Sequence, residues 1–370
     1  MAGSLPRVRR RTQVLLIALA AGAIAPAAAA QEPVATAPEP VTPAPVVPRV
    51  PPPASHPALA TGWARVLDPG AAIHGAPAES APVAGVVGST HIAGRAWAVT
   101  RDEDGAVWVR VAFPDSLSGW ARGDALARAV PPMELSRRAR RTLTRATSSL
   151  GRRSALVVRD PLGRTLFATG TRAPLSLASV TKLATVSTAL GREALPLRRA
   201  AAILGPSDNR RAQLLSNRVG DGRSALGARR AVDYAATLGA DWRLVDGSGL
   251  SPANRASAGE VADLLLGVRD APLFRTLLRA MPVAGRTGTL EDRMNGTAAA
   301  GRMRGKTGSL FDTPASALAG YLWPAGAGMR PDRALIVVML VNRVSPYRAR
   351  PVQDAIAATL AAPGALTAAR

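Results

Sequence analysis

The sequence predicts a chain of the α/β (α+β) class, in which a small all-β unit precedes a larger unit of strands and helices. Two strand-like apolar runs, "SALAGYLW" (316–323) and "ALIVVMLVNR" (334–343), lie in the larger unit. In "PLSLASVTKLATVSTAL" (174–190) a turn signal precedes an apolar-rich stretch without Gly or Pro, which favours a helix. A hairpin signal, Asp104-Gly105 between two alternating runs, marks the all-β unit.

Composition narrows the chemistry that the chain can carry. Its 370 residues suffice for two modest domains with accessory segments, and there is no cysteine, which excludes disulfides and thiolate catalysis. The three histidines, His56, His74 and His91, all precede residue 92. No Ser-His-Asp triad or histidine metal cluster can therefore form within the C-terminal two-thirds of the chain.

The basic residues are almost all arginine. Of 47 Lys plus Arg, only Lys182 and Lys306 are lysines, and the formal net charge is +22. Arginine does not release its proton in a protein, whereas a buried lysine can become a neutral base. The two lysines are therefore expected to lie where an arginine would fail.

The N-terminus has the pattern of an export signal over residues 1–30. Four arginines between positions 7 and 11 precede the apolar run "VLLIALAAGAI" (14–24) and a small-residue cleavage site near Ala30. Residues 31–57, rich in Pro, Ala and Val, predict a semi-rigid linker. We expect export to the periplasm or to the extracellular space and cell wall, with no stable membrane span after cleavage; an uncleaved anchor is the alternative.

Residues 58–130 predict a small β module. Short apolar runs broken by Gly, Pro and Asp suit a small barrel, and "WVRV" followed by "GWA" (119–121) resembles a bacterial SH3-like domain. The resemblance implies a cell-wall-binding or positioning role. Three tryptophans of the module are expected in its core: Trp97, Trp108 and Trp120.

Ser179 and Lys182 form the first chemically suggestive pair. Positions three apart share one face of a helix, so the lysine can take the proton of the serine hydroxyl if burial and nearby charge lower its pKa. Alone, the pattern is common by chance and favours an N-cap serine beside a surface lysine.

Two further short motifs follow. Ser207-Asp208-Asn209 lies after Gly-Pro and before a helical run, on a predicted turn, whereas Ser216-Asn217 is expected on a solvated helix face. Lys306-Thr307-Gly308 lies in "MRGKTGSL" (303–310), which lacks the spacing of a phosphate-binding loop and precedes strands instead of a helix. Lys306 is predicted on the first of three consecutive strands.

In this order, S-x-x-K, S-D-N and K-T-G are the signature of penicillin-binding proteins and serine β-lactamases. Residues 135–362 closely resemble the D-alanyl-D-alanine carboxypeptidase/endopeptidases of the DacB type, the class C low-molecular-mass penicillin-binding proteins. The segments that carry this resemblance are "VDGSGLSPANRAS" (245–257), "MPVAGRTGTLEDRM" (281–294) and "AAAGRMRGKTGSL" (298–310). It implies a transpeptidase-like fold, with an antiparallel sheet flanked by helices, a helical subdomain, and the site between them.

One departure from that family is large. A long insertion separates the first two motifs there, but only 24 residues lie between Lys182 and Ser207 here. A helix over 179–190 would run about 18 Å, and one over 197–204 would return about 12 Å. A helical hairpin can thus bring Ser207 near Ser179. The resemblance therefore does not extend to any substrate discrimination or oligomerisation that the extra domains of this insertion carry in the family.

The resemblance implies a serine-type D-Ala-D-Ala carboxypeptidase or endopeptidase that acts on peptidoglycan peptides and is inhibited covalently by β-lactams. Ser179 would attack the carbonyl with Lys182 as general base, Ser207 would relay the proton, and Asn209 would hold the substrate amide and the lysine amine. Lys306 would stay charged, lower the pKa of Lys182 by repulsion, and help bind the terminal carboxylate. The third motif would add the substrate-binding residues Thr307, Gly308 and Ser309.

Further expectations concern the groups around this chemistry. Backbone N–H groups of Ser179 and Ser309 would form the oxyanion hole, and no metal or cofactor is implied. Asp246 is assigned a structural role in a turn, and Arg286-Thr287-Gly288 is taken as a structural loop despite its likeness to the third motif.

Three rival functions stay open at this point. A β-lactamase uses the same motifs, although neither Glu260 nor Glu291 has the context of a deacylating glutamate. An inactive wall-binding scaffold would keep the fold. Forty-five arginines could contact nucleic acid, but their dispersal and the export signal favour anionic polymers of the cell envelope instead.

Overall fold

The computed structural model describes residues 62–88, 92–114, 116–129 and 131–368. The predicted signal peptide (1–30) and linker (31–57), with His56 and His91, lie outside the described residues. Among the helices of the described part, none has the length and apolar character needed to cross a membrane.

The first unit is a seven-stranded antiparallel sheet in the order β3-β2-β6-β5-β4-β1-β7. Its strands are β1 (Gly62–Val66), β2 (Ala71–His74), β3 (Val83–Val87), β4 (Gly94–Arg101), β5 (Val107–Ala112), β6 (Ser118–Arg122) and β7 (Leu126–Ala129). The predicted hairpin is confirmed, since Asp104-Gly105 lies in the turn between β4 and β5. The SH3-like character of this unit stays a prediction.

The tryptophans of this unit do not share one environment. Trp108 is fully buried, and its indole N–H donates to Asp102 Oδ2 at 2.7 Å. Trp97 is 42% exposed, and the Arg110 guanidinium lies between its ring and that of Trp120, 5.7 and 5.9 Å from the two centroids. The expectation that all three are core residues is therefore wrong for Trp97, because alternate positions of a strand face opposite sides of the sheet.

The second unit contains the remaining strands and eight helices. The strands are β8 (Met133–Leu135), β9 (Ser154–Arg159), β10 (Thr165–Gly170), β11 (Leu175–Ser176), β12 (Arg255–Ala256), β13 (Met303–Leu310), β14 (Ala315–Leu322), β15 (Leu335–Asn342) and β16 (Leu366–Ala368). The helices are α1 (Arg137–Ser148), α2 (Thr181–Glu193), α3 (Leu197–Leu204), α4 (Asn209–Val219), α5 (Ser224–Thr237), α6 (Ala258–Arg269), α7 (Phe274–Ala280) and α8 (Pro346–Ala361).

A five-stranded antiparallel sheet forms the centre of this unit, in the order β10-β9-β15-β14-β13. Both faces of the sheet are covered, which explains why β15 is an unbroken apolar run. Its residues Ile336, Val338 and Leu340 belong to the core that includes α2, α3 and α6. Leu335, Val337 and Met339 belong to the opposite core, with α1 and α8. The predicted antiparallel sheet with flanking helices is confirmed.

The short link between the first two motifs is a helical hairpin, as predicted. Helix α2 ends at Glu193, and Ala194 adopts the left-handed conformation that turns the chain, with φ of +49°. Helix α3 then runs back over Leu197–Leu204, the residues expected from the sequence. This hairpin returns the chain to the N-terminal end of α2, where Ser179 lies.

Candidate active site

Ser179 and Lys182 lie where a short 3₁₀ turn leads into helix α2. Ser179 is partly exposed, whereas Lys182 is fully buried. Lys182 Nζ donates to Ser179 Oγ at 2.8 Å, to Asn209 Oδ1 at 2.7 Å and to the carbonyl oxygen of Ser248 at 2.5 Å. The alternative of an N-cap serine beside a surface lysine does not fit a buried amine with three partners.

These three partners fix the orientation of the amine. Asn209 Oδ1 and the Ser248 carbonyl are acceptors only, so each holds one N–H of Lys182. When Lys182 is neutral, its remaining tetrahedral position is a lone pair directed at Ser179 Oγ. The geometry therefore suits the transfer of a proton from the serine hydroxyl to the lysine.

The second motif lies on the turn between α3 and α4. Ser207 has φ of +63°, a conformation that costs a non-glycine residue on the order of 1 kcal/mol or more. Asp208 caps helix α4 by accepting from the backbone N–H of Arg211 at 2.8 Å, which places Asn209 in the first turn. Lys306 Nζ donates to Ser207 Oγ at 2.8 Å, so the second and third motifs are joined directly.

The third motif lies on the edge strand β13, beside the turn that carries Ser179. A Cβ on Gly308 would lie 2.9 Å from the Leu177 carbonyl oxygen and 3.0 Å from Ser179 N, so only glycine allows this approach. Ala178, directly before Ser179, has φ of +46°. The strand and the strained turn thus bring Gly308 close to the backbone of Ser179, and Ser309 follows Gly308 on the same strand. The oxyanion hole of Ser179 and Ser309 stays a prediction.

A loop over residues 246–251 closes the site from the side of helix α4. Asp246 Oδ1 accepts from the backbone N–H groups of Ser248 and Gly249 at 2.7 and 2.6 Å, and Oδ2 accepts from that of Ser251 at 2.8 Å. These bonds confirm the structural role of Asp246. The loop they hold also presents the Ser248 carbonyl to Lys182, a contact that the sequence did not reveal.

Burial sets the protonation of the two lysines. The pKa of Lys182 is lowered to about 8 by burial, while the nearby carboxylates of Asp246 and Asp208 act to raise it. Burial also lowers the pKa of Lys306 well below its usual value, and the charge of Lys182 lowers it further. The expectation that a charged Lys306 lowers the pKa of Lys182 is thus corrected: burial is the cause, and Lys306 bears the repulsion.

Two neighbouring features of the site could not be predicted from the sequence, and one expectation was wrong. Thr307 Oγ1 donates to Thr289 Oγ1 at 2.7 Å, and Thr289 N donates to the Gly205 carbonyl at 3.1 Å. The loop after Arg286-Thr287-Gly288 therefore connects the second and third motifs, a role that no local pattern indicated. Ser216, expected on a solvated face, is buried because α4 turns it towards Gly247.

The glutamates between the second and third motifs are not placed for deacylation. Glu260 forms a capping box at the start of α6, where its carboxylate accepts from the Ser257 backbone N–H. Glu291 is exposed. Within the described ranges, no group of three or more His, Cys, Asp or Glu side chains could hold a metal ion.

Comparison with known families gives the arrangement its context. Residues 152–362, more than half of the chain, match the family described as D-Ala-D-Ala carboxypeptidase 3 (S13). The chain belongs to the S13 family. The family resemblance expected from the three motifs is confirmed.

Individual S13 relatives are similar over part of their length. A D-alanyl-D-alanine carboxypeptidase of Actinomadura sp. is 38% identical over 168 residues, which make up 42% of this chain and 30% of that protein. Carboxypeptidase DacB of Mycolicibacterium smegmatis is 40% identical over 125 residues, 32% of this chain and 25% of that protein. The match thus spans less than a third of the length of these curated relatives.

Solved structures that resemble the chain include penicillin binding protein 4 (dacB) from Haemophilus influenzae. It is 22% identical with a TM-score of 0.37, over 43% of this chain and 39% of that one.

Proposed function

We propose that this S13-family chain is a serine-type D-Ala-D-Ala carboxypeptidase that cleaves peptidoglycan stem peptides through an acyl-enzyme. The observation that carries the proposal is the hydrogen bond from Lys182 Nζ to Ser179 Oγ, with the other two donors of the amine held by Asn209 and Ser248. Such a pair activates a hydroxyl without histidine, which the chain lacks beyond residue 91.

Acylation begins when neutral Lys182 takes the Ser179 proton. The Ser179 oxygen bonds to the carbonyl carbon of the penultimate D-alanine, and backbone N–H groups of Ser179 and Ser309 stabilise the oxyanion. With its Oδ1 engaged by Lys182, Asn209 can donate from its side-chain N–H₂ group to the substrate amide.

The bond between the two D-alanines then breaks. The leaving amine needs a proton, which passes from Lys182 through the Ser207 hydroxyl; Ser207 is oriented for this by the donation from Lys306. A water molecule, deprotonated by Lys182, hydrolyses the ester and restores Ser179. No step in this sequence needs a metal or a cofactor.

The decisive experiment is to incubate the purified chain with a muropeptide that ends in D-Ala-D-Ala and to measure free D-alanine. We expect release of D-alanine together with covalent labelling by a fluorescent penicillin. Rapid turnover of a chromogenic cephalosporin without release of D-alanine would indicate a β-lactamase instead. Neither labelling nor release would indicate an inactive scaffold.

We also propose that the enzyme works outside the cytoplasm and associates with anionic polymers of the cell envelope. The support is the formal charge of +22, the arginine-rich composition and the N-terminal export pattern. Retention on purified envelopes should fall as salt is raised, and retention that salt does not change would contradict the proposal.

A further inference from the structure

The substrate of the proposed reaction ends in a carboxylate that must find a cation near the oxyanion hole. Standard bond lengths place its carbon between about 3 and 4 Å from the scissile carbonyl carbon. The carboxylate therefore lies within reach of the residues around Ser309, whose backbone N–H points at the oxyanion in the proposed mechanism. A carboxylate removed from water here is costly unless it is paired.

Lys306 lies on β13, the strand that contains Ser309, but its geometry does not suit the binding of this carboxylate. It is fully buried, and its amine donates to Ser207 Oγ and to the carbonyl of Thr307, both at 2.8 Å. These bonds occupy two of the three N–H donors of a protonated amine, and solvent does not reach the side chain. The sequence predicted that Lys306 binds the terminal carboxylate. Its position, however, provides no cation on the partly exposed side of Ser309.

Arg350, on helix α8, places a guanidinium beside Ser309. Its Nη2 donates to Ser309 Oγ at 3.1 Å, across 41 positions of sequence, and its side chain is partly exposed. Among the residues that the structure describes, no carboxylate forms an ion pair with Arg350. A guanidinium has five N–H donors, so one bond to Ser309 leaves a fork free for a carboxylate.

Contacts of the Arg350 backbone and of its neighbours on helix α8 hold this residue in place. Arg293 pairs with Asp354 at 2.6 Å and donates to the Arg350 carbonyl at 3.1 Å. Gln353 is fully buried and donates to Ser316 Oγ at 3.2 Å. The Arg350 guanidinium also lies 6.0 Å from the ring of Tyr347, within the range of a cation–π contact.

We propose that Arg350 is a specificity-determining residue that binds the terminal carboxylate of the substrate, with Ser309 Oγ as its companion. The inference rests on the proposed carboxypeptidase function, because it assigns a subsite for the free end of the same peptide. It predicts a preference for peptides that end in a carboxylate over peptides whose end is blocked.

Binding to the Ser179→Ala protein tests this without turnover. The ligands are an acylated tripeptide that ends in D-Ala-D-Ala with a free carboxylate, and the same peptide as its carboxamide, measured by calorimetry. We expect the Ser179→Ala protein to prefer the acid, and Arg350→Gln in that background to weaken acid binding on the order of 10- to 100-fold, with the amide changed less than about threefold.

Arg348→Gln is the matched control. It removes the same charge from the same helix, but Arg348 is exposed and two positions away, so it does not share the face of Arg350. Acid preference that survives in Arg348→Gln and disappears in Arg350→Gln supports the proposal. Equal binding of acid and amide, or equal losses in both variants, overturns it.

Two further measurements test the role of the Arg350 charge and distinguish a failure of this inference from a failure of the proposed function. Arg350→Lys keeps a charge without the planar fork, so it should retain part of the acid preference; a loss as complete as in Arg350→Gln would contradict the role of the charge. Release of D-alanine by the unmodified chain tests the proposed function separately. Acid-selective binding without that release would uphold the carboxylate subsite and reject the hydrolysis.

Discussion

Lys182 Nζ lies 2.8 Å from Ser179 Oγ, and both of its other donors end on carbonyl oxygens. In the proposed mechanism, this relationship makes the serine the reactive hydroxyl and the lysine its base. A small displacement of either side chain should therefore slow the reaction, because the neutral lysine has a single lone pair and the serine a single hydroxyl proton to transfer.

Ser179→Ala should abolish covalent labelling by a fluorescent penicillin, because no other hydroxyl adjoins the amine in the described part of the chain. Gel fluorescence after denaturation measures the labelling. Ser216→Ala is the matched control, since Ser216 is equally a helix-associated serine but its buried hydroxyl has no hydrogen-bond partner. Retained labelling in Ser179→Ala would mean that another residue is acylated.

Lys182→Arg should lower the acylation rate constant on the order of 10³-fold, because arginine keeps the positive charge and cannot act as the base. Stopped-flow acylation by a reporter β-lactam measures the effect. Arginine is larger than the buried lysine it replaces, so Lys182→Met is the companion variant that keeps the shape and removes the amine. Near-normal acylation by either variant, with an unchanged melting temperature, would contradict the role of Lys182.

The acylation rate should rise with pH and level off above about 8. Burial lowers the pKa of Lys182 to about 8, and only the unprotonated amine accepts the serine proton. Below that pH the rate should fall about tenfold per unit, since the neutral fraction falls in that proportion. A rate that is flat between pH 6 and 9 would show that Lys182 does not titrate as the base.

Asp246→Asn should move the acidic limb of this profile to lower pH. The Asp246 carboxylate acts to raise the pKa of Lys182, so its removal lets burial lower that pKa further. Asparagine retains one side-chain oxygen that can accept from the backbone N–H groups of the loop. The quantity to measure is the pH midpoint of the acidic limb, not the maximal acylation rate. A shift to higher pH would contradict the assigned sign.

The sequence predicted the residues whose order forms a motif, and it missed the partners that only folding brings together. Ser179, Lys182, Ser207, Asn209 and Lys306 could be named because their spacing and the rarity of lysine marked them. The Ser248 carbonyl could not, because any residue has one and its direction depends on the bonds that Asp246 accepts.

Contacts between elements far apart in the sequence could not be predicted for the same reason. Arg350 is one of 45 arginines, and nothing local distinguishes it before α8 is placed beside β13. Burial and repulsion by Lys306 were both expected to lower the pKa of Lys182, and only the expectation of burial is confirmed. Charge repulsion can be guessed from two lysines in a motif, but the burial that dominates depends on helices α2 and α4 and on the loop at 246–251. The antiparallel sheet, in contrast, could be predicted from its apolar runs, because strands of a sheet that is covered on both faces are apolar along their whole length.

Gly249→Ala should destabilise the nucleophile turn and lower the acylation rate on the order of tenfold. Gly249 has φ of +84°, and a Cβ there would lie 2.1 Å from the Ala178 carbonyl and 2.9 Å from Ser179 Cα. Either the loop or the turn must move, and a displacement of the Ser179 backbone would also disturb the proposed oxyanion hole.

Gly239→Ala is the control that separates this clash from backbone strain. Gly239 has nearly the same φ, +81°, but a Cβ there would meet nothing within 4 Å. Both variants should lose about 1 kcal/mol of stability from the left-handed conformation, measured by urea unfolding, whereas only Gly249→Ala should lose acylation. Equal acylation by the two variants would show that the packing of Gly249 against Ala178 does not position Ser179.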